Sequence, residues 1–209
     1  MKPVVLVALL LAAPAVWAQE AAKADPFTGG SAEAGAGKAA VCGACHGPGG
    51  NSSNPEWPKL AGQHAAFTYD QLKGLKSRER PSPVMGPQAA GLSDQDMRDL
   101  AAYFAAQKPS PGVASPDAVK TAQKLYRAGD AARALPACSA CHGPQGHGNA
   151  AARYPRIGGQ HSKYVSNVLR QYRAGAAIPH AGFQTMSAVA ARLTDAEIEA
   201  LASYVNGLR

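Results

Sequence analysis

The chain has 209 residues, enough for one large domain or two small ones, and a formal net charge of +7. Apolar residues make up 46% and charged residues 17%, which argues against wholesale disorder, and four Cys are too few for a disulfide-dense secreted scaffold. The positive charge points to an acidic partner: nucleic acid, an anionic membrane or an acidic protein.

The first segment reads as an address. Lys2 supplies a positive start, an apolar run over 4–16 follows, interrupted by Pro14, and Val16-Trp17-Ala18 offers a small residue for cleavage. This is the pattern of a secretory signal peptide over 1–18, cut after Ala18. The run is shorter than the roughly 20 residues that a membrane span needs. No Cys follows the cut, which argues against a bacterial lipid anchor. The mature chain, 19–209, is expected to be exported, to the periplasm if the source is bacterial.

Along the mature chain the elements read as helices. A first helix is predicted over 32–41, weakened by Gly35 and Gly37. It leads into Cys42-Gly43-Ala44-Cys45-His46-Gly47-Pro48 and then Trp57-Pro58-Lys59-Leu60-Ala61-Gly62-Gln63-His64. A middle helix is predicted over 67–75. Met85 follows in Pro83-Val84-Met85-Gly86-Pro87, read as a rigid loop. Ser93, with Asp96 three residues on, opens a helix whose Met97, Leu100, Ala101 and Phe104 recur at helical spacing. The Pro- and Ser-rich stretch over 108–116 reads as a stiff linker.

The pattern then repeats. A helix over 116–128 leads to Cys138-Ser139-Ala140-Cys141-His142-Gly143-Pro144, followed by Tyr154-Pro155-Arg156-Ile157-Gly158-Gly159-Gln160-His161. A middle helix over 164–172, then Met186 in Phe183-Gln184-Thr185-Met186, then a helix opened by Thr194 and Glu197 complete it. Three blocks in the same order, at offsets of 96, 97 and 101, mark one tandem duplication. Two copies mean two similar domains rather than a solenoid. The expected division is 19–108, a linker over 109–116, and 117–209. No alternating apolar-polar run appears, so little or no sheet is expected. Each copy is short of aliphatic surface for a core of its own.

The cysteines identify what fills the gap. Cys-x-x-Cys-His is the attachment signature of c-type haem. Two thiols form thioethers to one edge of the porphyrin, and the adjacent His lies beneath the iron. Cys42, Cys45 and His46 would hold one haem, and Cys138, Cys141 and His142 a second. A zinc ribbon pairs its Cys-x-x-Cys units about 15–20 residues apart, far closer than Cys45 and Cys138. A thioredoxin-like pair needs a βαβ context, and disulfides within a helical Cys-x-x-Cys are sterically awkward.

The other face of each iron decides the function. A Met beside the His raises the reduction potential and closes the iron to substrates. Met85 stands 39 residues after His46 and Met186 stands 44 after His142, at the same place in the two repeats. Met97 is replaced by Ile198 in its copy and is read as core. His64 and His161 also recur and are the rivals. At predicted helix starts they fit a structural role, a cap or a contact to a haem propionate. Gln63 and Gln160 are candidate donors around the site. His147 and His180 have no repeat partner and read as loop residues.

Together the two Cys-x-x-Cys-His-Gly motifs, the paired aromatic-Pro-x-aliphatic-x-Gly-Gln blocks and the Leu-Ser/Thr-Asp helix starts resemble the dihaem cytochrome c4 family, over nearly all the mature chain. The resemblance implies an all-α fold of two cytochrome c-like domains related by a pseudo-twofold, each wrapped around one covalently attached haem. It implies His46 and Met85 as ligands of one iron and His142 and Met186 of the other. It also implies an electron carrier of the bacterial periplasm, between respiratory complexes and terminal oxidases. The local contexts Pro-Val-Met and Gln-Thr-Met differ, which argues against equal potentials.

The expected function is therefore a one-electron shuttle and not an enzyme, a monomer meeting redox protein partners. The first alternative is a cytochrome subunit of a periplasmic dehydrogenase complex. A dihaem peroxidase stands a distant third, because both copies offer a Met and no acid-base residues recur beside them. The charge fits this reading. Residues 19–108 carry nine Lys/Arg against nine Asp/Glu, and 113–209 carry eleven against five. Nucleic acid drops out, and an acidic redox partner or an anionic membrane surface is expected to meet the basic C-terminal domain first.

Overall fold

In the computed structural model, which describes residues 25–176 and 182–209, each repeat forms five α-helices. The export signal read at 1–18 and His180 lie outside those residues. The first repeat carries α1 (Ala32–Lys38), α2 (Ala40–His46), α3 (Ala65–Ser77), α4 (Met85–Ala90) and α5 (Asp94–Ala105). The second carries α6 (Pro116–Ala128), α7 (Ser139–His142), α8 (Ser162–Arg173), α9 (Phe183–Ala190) and α10 (Asp195–Gly207). Among the described residues, backbone pairing of the β type is limited to two isolated bridges, Asp130 with Leu135 and Asn149 with Tyr154. No described helix is long and apolar enough to cross a membrane.

Helix starts follow the sequence closely. Ser93 accepts from the Asp96 amide while the Asp96 carboxylate takes the Ser93 amide, and Thr194 and Glu197 do the same. Both are closed capping boxes, satisfying donors that a helix start leaves orphaned. Ser115 caps α6, with Pro116 in the first turn where its missing N–H costs nothing.

Two expectations are corrected. The single helix over 32–41 is two helices meeting at Ala39, whose amide is shared between the carbonyls of Gly35 and Ala36, so the turn tightens there. The loop around Met85 is a helix that Met85 itself begins. Pro87 sits in its first turn, where proline is tolerated.

The final helix of each repeat organises the packing: α5 lies on α1 and α3, and α10 on α6 and α8. The second repeat builds an apolar core from Leu125, Tyr126, Leu193, Ile198, Leu201 and Val205, among others. The first has a smaller one, Ala39, Leu100 and Phe104. It compensates by close approach. A Cβ on Gly35 would collide with the Asp99 carbonyl and the Tyr103 side chain, so glycine lets α1 settle directly on α5. Polar bonds fix that contact: Asp99, 3% exposed, accepts from the Ser31 amide (2.9 Å), Lys38 Nζ (2.7 Å) and Gln95 Nε2 (2.9 Å).

The repeats meet through reciprocal contacts. Gln63 Nε2 donates to the Arg156 carbonyl (2.9 Å) and the Arg156 amide donates back to Gln63 Oε1 (2.9 Å). Gln160 Nε2 donates to the Lys59 carbonyl (2.9 Å) and the Lys59 amide donates to Gln160 Oε1 (2.8 Å). Gln63 corresponds to Gln160, and Lys59 to Arg156, in the duplicated blocks. Contacts of the kind i to j and j to i are the signature of a twofold relation. Asp70 pairs with Arg153 (2.8 Å) at the rim. The segment joining the repeats is pinned on both sides: Asn51 holds the Lys108 carbonyl and the Ser110 amide, and Asn206 and Ser203 accept from the amides of Val113 and Ser115.

Candidate functional site

Cys42, Cys45 and His46 lie on α2, with the thiols one helical turn apart. Cys138 is the N-cap of α7, which carries Cys141 and ends at His142. All four cysteines are free thiols, Cys45 exposed and the others half-buried. In both repeats a glycine stops the helix directly after the His, Gly47 at φ 76° and Gly143 at φ 75°, a left-handed region that other residues enter at a cost. The chain thus turns away and leaves the His at the helix end.

Both imidazoles are buried and held from behind. His46 Nδ1 donates to the Pro58 carbonyl (2.9 Å) and His142 Nδ1 to the Pro155 carbonyl (3.0 Å). A carbonyl can only accept, so the proton sits on Nδ1 and Nε2 keeps its lone pair. Burial is the main cause lowering both pKa values, against a smaller upward pull from the carbonyl, so both rings are neutral. A neutral imidazole of fixed tautomer, oriented through its other nitrogen, is the form that ligates a metal.

Met85 begins α4, which packs on α3, and Met186 lies on α9, which packs on α8 beside Val168, Tyr172, Phe183 and Ala190. Among the described residues, neither helix packs on the Cys-x-x-Cys-His segment of its own repeat. The His and Met of each repeat therefore stand on separate elements. Two buried hydroxyls without a hydrogen-bond partner lie beside the methionines' helices: Thr68 Oγ1 on α3, which packs on α4, and Ser187 Oγ next to Met186. Free thiol pairs, unprotonated ring nitrogens and orphaned donors all fit a planar group with acidic arms and an iron at its centre.

The rival histidines are placed elsewhere. His64 and His161 are the N-cap residues of α3 and α8, but neither side chain makes a capping bond. His161 Nε2 bonds the Ser52 carbonyl of the other repeat (2.8 Å), which puts a proton on that nitrogen. His64 Nε2 is buried; burial is the main cause lowering its pKa, a hydrogen bond to the His147 backbone pulls it up, and the nearby Arg156 and His147 charges lower it further. Gln63 and Gln160 sit at the junction of the repeats. The Pro58 and Pro155 carbonyls were missed at the sequence level. Both belong to the repeated blocks, but a backbone acceptor has no residue-type signature.

The cytochrome c family model matches residues 32–108 and again 119–209. Cytochrome c4 of Azotobacter vinelandii is 45% identical over 188 residues, covering 86% of this chain and 90% of the relative. The crystal structure of reduced recombinant cytochrome c4 from Pseudomonas stutzeri superposes with a TM-score of 0.83 at 44% identity, over 86% of this chain and 100% of that one. A thiosulfate dehydrogenase electron acceptor of Stutzerimonas stutzeri is 33% identical over 171 residues, covering 79% of this chain and 78% of the relative.

Proposed function

The chain belongs to the dihaem cytochrome c4 group of the cytochrome c family, an electron carrier and not an enzyme, and from that premise we propose how its own residues do the work. Cys42 and Cys45 in the first repeat, and Cys138 and Cys141 in the second, take two haem c groups as thioethers. His46 with Met85, and His142 with Met186, hold the two irons. The haem iron supplies a one-electron couple when bound. The single observation that carries this reading is the pair of buried histidines with Nδ1 tied to a proline carbonyl and Nε2 free, one in each repeat. The carbonyl fixes the ring plane and its tautomer, the two Met thioethers raise the potentials, and the short helices α4 and α9 hold them in place. With these four side chains as ligands, the irons would be closed to substrates and little would rearrange when the charge changes.

The domains run over 19–108 and 117–209, joined by 109–116, after removal of a signal over 1–18. The working compartment is the periplasm. There the chain passes electrons along the respiratory chain, to a terminal oxidase among other acceptors. The net +6 over 113–209 steers an acidic partner or an anionic membrane surface to the second domain. The match to a thiosulfate dehydrogenase electron acceptor supports a second reading, in which the donor is a dehydrogenase that docks this chain as its cytochrome. A pyridine haemochrome assay beside a near-infrared spectrum of the oxidised protein tests the core of the proposal. Two haems per chain and Met-to-iron absorption from both are expected. One haem, or none, would refute it.

A further inference from the structure

The opening helices of the two repeats pack alike and present different surfaces to solvent. α1 lies on α5, and α6 on α10. On α1 the exposed residues are Glu33, Ala34, Ala36 and Gly37, and Lys38 is taken up by Asp96 and Asp99, each at 2.7 Å. On α6 Lys120, Lys124 and Arg127 stand at i, i+4 and i+7, which sets them on one face, and all three are exposed. Among the described residues Lys124 and Arg127 make no ion pair, and the Arg127 Nε donates to the Tyr204 hydroxyl (3.3 Å). Lys120 has one, a 3.4 Å contact to Asp117, whose side chain is 94% exposed. A pair that open to water contributes little.

An open cleft of about 410 Å3 lies beside this row, with Thr121, Lys124, Leu125, Ala128 and Ala131 in its walls. Its two carboxylates, Asp130 and Glu197, are both held by Arg133 (2.7 and 2.6 Å), so the Lys124 ammonium is the unpaired charge at its wall. The row ends at the segment that carries the second pair of thiols. The Arg127 carbonyl accepts from Ser139 Oγ (3.3 Å), and Ser139 stands between Cys138 and Cys141. The apolar residues Ala118, Ala122, Leu125 and Tyr126 of α6 are buried in the fold. No apolar face of α6 is left to sink into lipid, which a helix lying on a membrane needs. A recess beside a row of cations suits a protein side chain instead.

We propose that the solvent face of α6, with the cleft beside it, is the docking surface for an acidic segment of a redox protein. That segment spaces its carboxylates over about 10 Å, the rise from Lys120 to Arg127 along a helix, and sets one apolar side chain into the cleft against Leu125 and Ala128. The proposal rests on the reading above that an acidic partner meets the second domain, and it gives that reading a place. The charges supply orientation and encounter rate, and the cleft supplies register. A partner seated there lies against the helix that leads to Cys138 and Cys141, so its redox centre approaches the second site. The first repeat, whose α1 carries no such row, does not compete for the same partner.

The test uses the full isotope-labelled holoprotein and, as probe, a synthetic helical peptide with Glu at i, i+4 and i+7 and one Leu on its flank, titrated at low ionic strength and followed by amide NMR. The peptide is expected to shift signals of α6 and of 129–131 and to leave those of α1 in place. Lys120→Glu with Lys124→Glu should weaken binding about tenfold or more, because two attractive contacts become repulsive. Lys73→Glu with Lys108→Glu makes the same change in net charge on exposed lysines of the first repeat, and should alter binding by less than about threefold. Thr121→Trp, which fills the cleft without a change of charge, should also weaken it. A peptide with Lys in place of Glu should bind the Lys120→Glu, Lys124→Glu variant, which shows that variant to be folded. Equal losses in the two double variants would overturn this face and leave general steering by charge intact. Shifts confined to the first repeat would overturn both. No binding of the peptide to the wild type would overturn the docking surface. So would wild-type binding to vesicles of equal parts phosphatidylcholine and phosphatidylglycerol that depends on Lys120 and Lys124 while the peptide does not bind, since that result assigns the row to a membrane.

Discussion

Gln63→Ala removes one of the two reciprocal clasps between the repeats. In the folded chain the Gln63 amide makes three bonds: Nε2 to the Arg156 carbonyl, and Oε1 from the amides of Arg156 and His64, each at 2.9 Å. A typical protein hydrogen bond contributes about 1 kcal/mol net, and a stranded buried partner costs more than that. The groups left behind are partly solvated, so water recovers some of the loss, and the expected cost is about 2–3 kcal/mol. Gln160→Ala should cost about as much, because it too loses three bonds, to Lys59 twice and to the His161 amide once. The double variant should cost less than the sum, by about 1 kcal/mol, since loosening the junction weakens the remaining clasp. Guanidinium denaturation followed by far-ultraviolet circular dichroism and by a haem band reads all of these. The wild type should unfold in one transition and the double variant in two, as the domains uncouple. A single variant within about 0.5 kcal/mol of wild type, or strict additivity, would refute the claim that these side chains hold the repeats together.

Met85→Ala and Met186→Ala should each remove one of two thioether-to-iron absorption bands and lower one potential; unchanged spectra in both would remove Met85 and Met186 as ligands. Asp99→Ala should destabilise by about 2 kcal/mol, because it strands the Ser31 amide and Lys38 against a buried site. Burial, the largest single influence on Asp99, pushes its pKa up, but Lys38, the Ser31 amide and Gln95 together bring it below the usual carboxylate value. A depressed folded pKa means stability that is present above the unfolded value of about 3.9 and lost as pH falls through the folded one, so Asp99→Asn should flatten the acid limb of the stability curve. Gly35→Ala should destabilise by about 1–2 kcal/mol, since overpacking against Asp99 and Tyr103 outweighs the gain in helix propensity. Gly37→Ala, where a Cβ meets nothing, should stabilise by about 0.5–1 kcal/mol in the same guanidinium denaturation.

What could be read from the sequence was what is local. The capping boxes at Ser93 and Thr194 close within four residues, and the Cys-x-x-Cys-His spacing fixes two thiols and a ring on one turn, so neither needs tertiary knowledge. Met85 reads as a loop residue because Pro83 and Pro87 flank it, although Pro87 falls in the first turn, where a helix admits one. Gly35 reads as a weakness in a helix. Its reason is the α5 backbone lying more than sixty residues downstream, and helix propensity carries no information about such a neighbour.

The junction was illegible for a deeper reason, and the same reason shows how it could have been found. Gln63 and Gln160 bond backbone atoms 93 and 101 residues away, and a backbone acceptor leaves no trace in residue type. Yet a duplicated chain constrains its own contacts. Under a twofold, whatever a side chain touches across the axis, its copy touches in return. A polar residue kept in both copies, outside the apolar faces and outside the Cys-x-x-Cys-His motif, is therefore a candidate for contact between copies. Gln63 with Gln160, and His64 with His161, meet that description, and both glutamines and His161 make bonds between the repeats. Lys59 and Arg156 meet it in charge but not in identity.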